Sequence, residues 1–249
     1  MTKKRLDLIL FEHGFFETKS SASANILAHN VKINGEVVSK AGEMFDENIL
    51  FNEEKPALIE IDSIPYVSRG GLKLEGALSE FGISPLGKLC IDVGASSGGF
   101  TDCLLQKGAK AVYAVDSGSG QLNESLRQDK RVICIENYNA RYMNPSDFED
   151  LFDLAVMDVS FISATYIIPS LYNCLKEGAD YILLIKPQFE VGRGGLSKGG
   201  IVKDEGLRRS AIEKVTECAI SVGFKLIGVT VSPIKGGDGN IEFLAHLKK

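Results

Sequence analysis

Cys90-Ile-Asp-Val-Gly-Ala-Ser-Ser-Gly-Gly-Phe-Thr101 is the stretch on which the fold turns. An apolar run long enough for a buried strand leads into a glycine-rich turn, and Gly99-Phe-Thr-Asp-Cys-Leu-Leu then opens a helix. Gly94, Gly98 and Gly99 allow backbone to approach a ligand closely, and Ala95, Ser96 and Phe100 stand in the same turn. A helix N-terminus presents unpaired N–H groups there. About 20 residues on, a second apolar run, Ala111-Val-Tyr-Ala-Val115, ends in Asp116, placed to accept hydrogen bonds from ribose hydroxyls. The turn reads D-x-G-x-x-x-G-G, not the G-x-G-x-x-G of nicotinamide binders, and Asp92 already puts a charge in it. A nucleoside without a pyrophosphate suits such a turn, and S-adenosylmethionine is the first candidate ligand. A dinucleotide is the competing one, and an ordinary α/β turn with no ligand is the plain structural alternative.

Bulk properties narrow the classes. The chain has 249 residues, 44% apolar and 24% charged, which fits a globular protein of one large domain or a large and a small one. No apolar run approaches the ~18 residues of a membrane helix. Met1-Thr-Lys-Lys-Arg-Leu-Asp7 has a basic start but no apolar region or cleavage site, so a cytoplasmic protein without a signal peptide is expected. Cys90, Cys103, Cys134, Cys174 and Cys218 are scattered without a C-x-x-C pair, so no zinc site or disulfide framework is expected and the cytoplasm is reducing. His13, His29 and His246 stand far apart, and no metal site is assigned. A net charge of −5 argues against indiscriminate binding of nucleic acid, so any RNA contact must come from a local basic patch.

Outward from the turn, the chain divides near Pro65 into residues 1–63 and 64–249. The first part reads as helices over Leu6–Phe15 and Ala22–His29, a hairpin around Asn34-Gly35 and a closing strand at Ala57–Ile61, a small α+β module. In the second, strands alternate with helices: strands at Leu89–Val93, Ala111–Asp116, Val132–Glu136, Leu154–Asp158 and Tyr181–Lys186, and helices at Leu72–Phe81, Phe100–Lys107, Leu122–Arg127, Ala164–Leu175 and Glu205–Val222. Such alternation means an α/β fold with a mainly parallel sheet and ligands at the strand carboxyl ends. The last two strands, Lys225–Ser232 and Asn240–Leu247, are joined only by a loop and must form an antiparallel hairpin, completing seven strands.

Four polar residues stand at ends of these elements. Lys186 closes the strand Tyr181-Ile-Leu-Leu-Ile-Lys, where a lysine is costly unless it is paired or opens on a cleft. Asp158 ends Leu154-Ala-Val-Met-Asp and is placed to orient that lysine. Lys73 opens the helix before the glycine-rich turn, and Glu242 lies on the last strand. Each alone has an ordinary surface, capping or ion-pair reading. Together, beside a nucleoside turn, they form a base with its positioning groups.

The sequence resembles the hemolysin A-type (TlyA) ribosomal RNA methyltransferases, in which an S4 RNA-binding domain precedes an FtsJ-like ribose 2′-O-methyltransferase domain. The likeness runs from Arg5 to the end of the chain. It rests on Ser68-Arg-Gly-Gly-x-Lys-Leu74, Asp92-Val-Gly-Ala-Ser-Ser-Gly-Gly-Phe-Thr101, Gly120-Gln-Leu122, Asp158-Val-Ser-Phe-Ile-Ser163, Lys186-Pro-Gln-Phe-Glu190 and Gly239-Asn-Ile-Glu242. The resemblance implies a Rossmann-like methyltransferase fold, S-adenosylmethionine as cofactor, no metal, and a Lys73, Asp158, Lys186, Glu242 tetrad acting on a ribose 2′-hydroxyl. It places Tyr138 and Asn139 of Glu136-Asn-Tyr-Asn-Ala-Arg141 at the adenine edge. It also implies cytidine in ribosomal RNA as the target and the ribosomal subunit as partner. The absence of a C-terminal extension after the final strand points toward large-subunit RNA.

The first module departs from the family pattern. Residues 1–63 carry seven Lys/Arg against 11 Asp/Glu, and Ser20–His29 has neither Lys nor Arg. Lys3, Lys4, Arg5, Lys19 and Lys32 are its candidate phosphate contacts. Arg193, Lys198 and Lys203, around the glycine-rich loop Val191–Ile201, are a further basic set on a candidate lid. Two readings compete with the enzyme: an RNA-binding assembly factor with weak catalysis, and a membrane-lytic protein, which no spanning segment supports.

Overall fold

The computed structural model describes residues 3–16, 18–27, 30–52, 54–61, 64–197 and 199–249, with the side chains of Ala24 and Arg193 set aside. His29 and Lys198, named above, lie outside the described residues. The chain forms two compact units, Met1–Pro65 and Tyr66–Lys249.

In the first unit, β1 (Lys3–Arg5) leads into α1 (Leu6–Glu12) and α2 (Lys19–Leu27), followed by β2 (Val31–Ile33), β3 (Glu36–Val37), β4 (Met44–Asp46), α3 (Glu47–Leu50) and β5 (Ile59–Ile61). Asn34 and Gly35 both take positive φ, 53° and 81°, as a two-residue hairpin turn requires, and Ile33 faces Glu36 across it. β5 adds to the other edge of β2. The helices bury Leu6, Ile9, Leu10, Ala22 and Ile26 against Val31 and Leu50. The pairing of β1 with β4 was not legible, because Lys3-Lys-Arg5 has no strand pattern; a partner 40 residues away makes it one.

The second unit is built on a seven-stranded sheet. Its elements are α4 (Gly70–Phe81), β6 (Leu89–Val93), α5 (Gly99–Gln106), β7 (Ala111–Val115), α6 (Glu124–Arg127), β8 (Val132–Ile135), β9 (Phe152–Met157), α7 (Ile168–Asn173), β10 (Leu175–Ile185), α8 (Pro187–Glu190), α9 (Glu205–Val222), β11 (Lys225–Val231) and β12 (Phe243–Lys248). The sheet order is β11-β12-β10-β9-β6-β7-β8; β12 is antiparallel to both β10 and β11, and the other pairs are parallel. Ile91, Ala155, Tyr181 and Leu183 line one core face with α7 and α9, and Cys90, Leu154, Ile182 and Leu184 line the other with α4 and α5. The strands are apolar on both sides because both faces are covered.

The expected helix Ala164–Leu175 divides into a 3₁₀ turn, Ala164–Tyr166, and the short α7, and β10 already begins at Leu175. Pro169 supplies no backbone donor, which suits the first turn of a new helix rather than the middle of a longer one. The expected helix Leu122–Arg127 shrinks to α6, since Asn123 caps it through the Ser125 N–H and Leu122 is buried. Conversely α4 starts two residues early, at Gly70.

Candidate active site

The carboxyl ends of β6, β7 and β9 are drawn together by backbone bonds. Gly94 and Ala95 donate to the Val115 carbonyl at 2.9 and 3.1 Å, and Asp158 donates to that of Val93 at 3.0 Å. Gly94 has φ 84°, and a Cβ on it would stand 2.4 Å from the Asp158 carbonyl oxygen, so no side chain fits there. Above this point a cleft of about 450 Å³ opens, with Gly94, Ser96, Asp116 and Gly118 on one wall and Asp158, Ser160 and Phe161 on the other. It lies at the reversal of strand order between β6 and β9, where open α/β sheets take their ligands.

Asp116 organises the first wall. Its carboxylate accepts the Ser96 N–H at 2.8 Å and the Gly118 N–H at 2.7 Å, one on each oxygen. A carboxylate has about four acceptor sites, so two stay open for hydroxyl donors. Ser96 also donates to Gln121 at 3.1 Å, a cleft residue the sequence reading passed over. Tyr138 and Asn139 line the cleft as well. Tyr138 is held through its backbone N–H to the Asp116 carbonyl at 2.9 Å and through its hydroxyl to Asp147. Burial, reinforced by Asp147, pushes its phenol pKa up, so it serves as a neutral ring. Asn139 accepts the Arg141 N–H and caps the 3₁₀ turn Ala140–Tyr142.

Several residues assigned to the ligand face the fold instead. Asp92 is fully buried; one of its oxygens accepts the Thr101 hydroxyl at 2.7 Å and the other has no partner among the described residues. Burial pushes its carboxyl up to about 7. A Cβ on Gly99 would fall 2.3 Å from Ser68 Oγ and 2.9 Å from Gly71 N, so this glycine lets α5 press on the start of α4. Gly98 lies under Leu126, and Ala95 and Phe100 belong to the core. A glycine pattern signals that backbone comes close to something, but not to what.

The four polar residues meet in two pairs. Lys186 Nζ stands 2.5 Å from Asp158 Oδ1 and donates to Ser160 Oγ at 2.8 Å. Lys73 Nζ donates to Glu242 Oε2 at 2.5 Å, both side chains being buried. Strand register explains the convergence. Leu183 of β10 lies beside Met157 of β9, and Ile185 faces Phe243 of β12, so Asp158 and Lys186 follow the ends of β9 and β10 while Glu242, expected on the last strand, immediately precedes β12, on three neighbouring strands about 4.8 Å apart. Asp158 and Ser160, the two groups that hold Lys186 Nζ, both line the cleft.

Three further residues hold this edge and carried no signal beyond their place in conspicuous motifs. Glu190 accepts Ser163 Oγ at 2.5 Å, the Ala164 N–H at 2.8 Å and Lys214 Nζ at 3.1 Å, tying the segment after Lys186 to the segment after Asp158. Asn240, fully buried, accepts the Val202 N–H at 2.9 Å and donates to the Gly200 carbonyl, anchoring the far end of the candidate lid. Phe161 is 92% exposed at the cleft mouth with φ 64°, its ring 5.3 Å from that of Phe189. Among the described residues no group of three or more His, Cys, Asp or Glu is disposed to hold a metal, and no helix is long and apolar enough to cross a membrane.

In the first unit, Lys4 is paired with Glu12 at 3.0 Å and with Glu47 at 2.9 Å, and Arg5 with the buried Asp7 at 2.7 Å. The Arg5 bond, against burial and with help from Lys19, holds the Asp7 carboxyl below its usual range. Lys3 and Lys19 are exposed, and Lys32 lies on β2.

A sheet of this order with a nucleoside-sized cleft at its switch point is the architecture of the Rossmann-like methyltransferases. A Mesorhizobium loti S-adenosylmethionine-dependent methyltransferase shares it at a TM-score of 0.54 over 71% of this chain and 98% of its own, at 13% identity, a likeness of fold alone. The FtsJ-like methyltransferase family matches residues 66–249. Hemolysin A of Brachyspira hyodysenteriae is 48% identical over 97% of this chain and 98% of its own length. The 16S/23S rRNA (cytidine-2′-O)-methyltransferase TlyA of Mycobacterium tuberculosis is 39% identical over 99% and 90%. A solved structure from Streptococcus thermophilus, named provisionally as a hemolysin, is 46% identical with a TM-score of 0.77, covering 100% of this chain and 89% of its own. The chain belongs to the FtsJ-like methyltransferases, within the family of hemolysin A and TlyA.

Proposed function

We propose that the chain transfers a methyl group from S-adenosylmethionine to the ribose 2′-hydroxyl of a cytidine in ribosomal RNA, acting on the ribosomal subunit in the cytoplasm. The observation that carries the reading is a cleft lined both by the Asp116 carboxylate and by Asp158 and Ser160, the two groups that hold Lys186. The cofactor's groups match the donor set: Asp116 has acceptor sites for the ribose hydroxyls, Gly94 and Gly118 bare their backbone, and Tyr138 and Asn139 provide a ring and an amide for the base. When bound, S-adenosylmethionine supplies an activated methyl group, which leaves the protein positioning and proton removal.

Lys186 performs the second task. Asp158 and Ser160 occupy two positions around its Nζ, and in the neutral amine the remaining lone pair would accept the hydrogen bond and then the proton of the 2′-hydroxyl. Lys73 and Glu242 flank the pair one strand away and hold the edge of the site rigid. The target is supported by the family and by the named activity of the M. tuberculosis relative, which covers both 16S and 23S RNA. The first unit acts as an S4-like RNA-binding domain, with Lys3, Lys19 and Lys32 as its phosphate contacts. Lys4 and Arg5 serve first as internal ion-pair partners.

The experiment is methyl transfer from labelled S-adenosylmethionine to separated, unmodified small and large subunits, comparing wild type with Lys186→Ala. An alkali-resistant label at one ribose, lost in the variant, is the expected result. Label on a base would overturn the assignment of the tetrad. No transfer to either subunit would overturn the substrate.

A further inference from the structure

The cleft walls continue into a surface that methyl transfer itself does not use. Tyr138 and Asn139 run directly into the 3₁₀ turn Ala140–Tyr142, and Phe161 and Ile162, from the opposite wall, run toward the 3₁₀ turn Ala164–Tyr166. The region is clamped from below, since Ser170 of α7 donates to the Ala140 carbonyl at 2.7 Å and to that of Ile167 at 2.8 Å. On top, the Arg141 guanidinium lies 4.5 Å from the Tyr166 ring centroid and 6.0 Å from that of Tyr142.

These three side chains are left to solvent. Tyr142 is 75% and Tyr166 56% exposed, and Arg141 is exposed between them. Arg5, Arg127 and Arg131 are each paired with a carboxylate at 2.6 or 2.7 Å, whereas none of the described carboxylates pairs with Arg141. Two aromatic faces around an uncompensated, planar cation are a poor surface for a protein to leave bare. They suit single-stranded nucleic acid well. Bases stack on aromatic and guanidinium planes whatever their sequence, and guanidinium edges bind phosphate.

We propose that Tyr142, Arg141 and Tyr166 form the docking surface for unpaired RNA nucleotides flanking the one that is methylated, with bases stacked on the two rings and a phosphate held by Arg141. The inference rests on the reading of the chain as an RNA methyltransferase. It adds a second condition for a substrate: the target strand must be unpaired next to the modified ribose, because a base inside a duplex has no free face to stack.

The chain has no tryptophan, so Tyr142→Trp introduces a single fluorescent reporter. Full-length Tyr142→Trp protein is titrated with a short single-stranded oligoribonucleotide of mixed sequence and with an abasic strand of equal length and charge. Quenching by the first strand and much less by the second is expected. Adding Arg141→Ala or Tyr166→Ala should weaken the affinity roughly tenfold. In the Tyr142 background, Tyr142→Phe should preserve the KM for ribosomal subunits while Tyr142→Ala raises it by a similar factor, with kcat and cofactor affinity unchanged. Equal quenching by both strands, quenching by neither, or an unchanged KM in Arg141→Ala and Tyr166→Ala would overturn the proposal. So would protection of the reporter by intact subunits but not by their purified RNA, which would point to a ribosomal protein. If wild type methylates neither subunit, the functional reading fails on its own, and the titration still reports stacking independently.

Discussion

One strand carries a charged cluster at each of its ends. Where β10 begins its regular pairing, Asp180 gathers Lys88 at 2.9 Å, His246 at 3.0 Å and Lys248 at 3.6 Å. Where β10 ends, Lys186 meets Asp158 at 2.5 Å, with Lys73 and Glu242 paired alongside. Burial does not tell the two apart: the Asp180 and Lys186 side chains are 14% and 12% exposed. What differs is closure. Two lysines and the His246 imidazole enclose Asp180, and that ring packs 5.3 Å from the ring of Phe81. Lys186 instead has a hydroxyl neighbour and a carboxylate partner that faces an open cleft. An ion pair at the closed end holds strands in place, whereas the same chemistry at the carboxyl end, where β9 and β10 release their chains into loops, can meet a substrate.

The comparison breaks most clearly at Lys186. Lys186→Ala is expected to lower kcat for methyl transfer by about 10²–10⁴-fold while the melting temperature and cofactor affinity stay near wild type; loss of folding instead would make this end structural too. Next comes Glu242→Ala, which leaves the Lys73 ammonium buried without its partner and should cost about 3–5 kcal/mol by urea unfolding, as well as activity.

At the closed end, Asp180→Asn should cost about 1–3 kcal/mol at neutral pH with unchanged kcat and KM. Burial alone would push the Asp180 carboxyl up, but the bonds from Lys88 and His246 and the charge of Lys248 outweigh it and hold it below its usual range. The stability it confers is therefore present above the ordinary carboxylate pKa and lost as pH falls from there through its lowered folded value, so wild type and variant should converge in acid melts.

The smallest effect is expected at Asp92, which belongs to neither cluster. Its carboxyl is raised from 3.8 to about 7, so its contribution to stability is full below the lower value and lost as pH rises through the upper. Asp92→Asn removes that loss but buries an amide where one oxygen had no partner. A net gain of about 1 kcal/mol at pH 8, shrinking toward pH 5, is the expected balance. A variant equally stable at both pH values would show that Asp92 is not held near neutrality.

The residues of the Lys186 cluster were named from the sequence, and those of the Asp180 cluster were not. Lys186 and Asp158 stood out because each ends an apolar run, an expensive place for a charge. Asp180 and His246 interrupt runs without ending them, and nothing in their spacing announced that β12 would bring them together. The same blindness explains Ser160 and Glu190, whose partners come from other segments, and Asp92, whose place in a glycine turn looked like exposure to a ligand and proved to be burial.

What the sequence determined by itself was local: the strand–turn–helix at Cys90–Thr101, the Asn34-Gly35 hairpin, and α9 running from its Asp204 cap to Gly223. Each depends on dihedral preferences and periodicity within a few residues. Tertiary structure alone decided that β12 inserts between β10 and β11, that Gly99 faces a helix rather than a ligand, and that Lys73 bonds Glu242 across 169 residues of chain. Those outcomes follow from sheet register, which is set by hydrogen bonds and packing between distant segments, and a one-residue slip of β12 would have turned Glu242 to the other face.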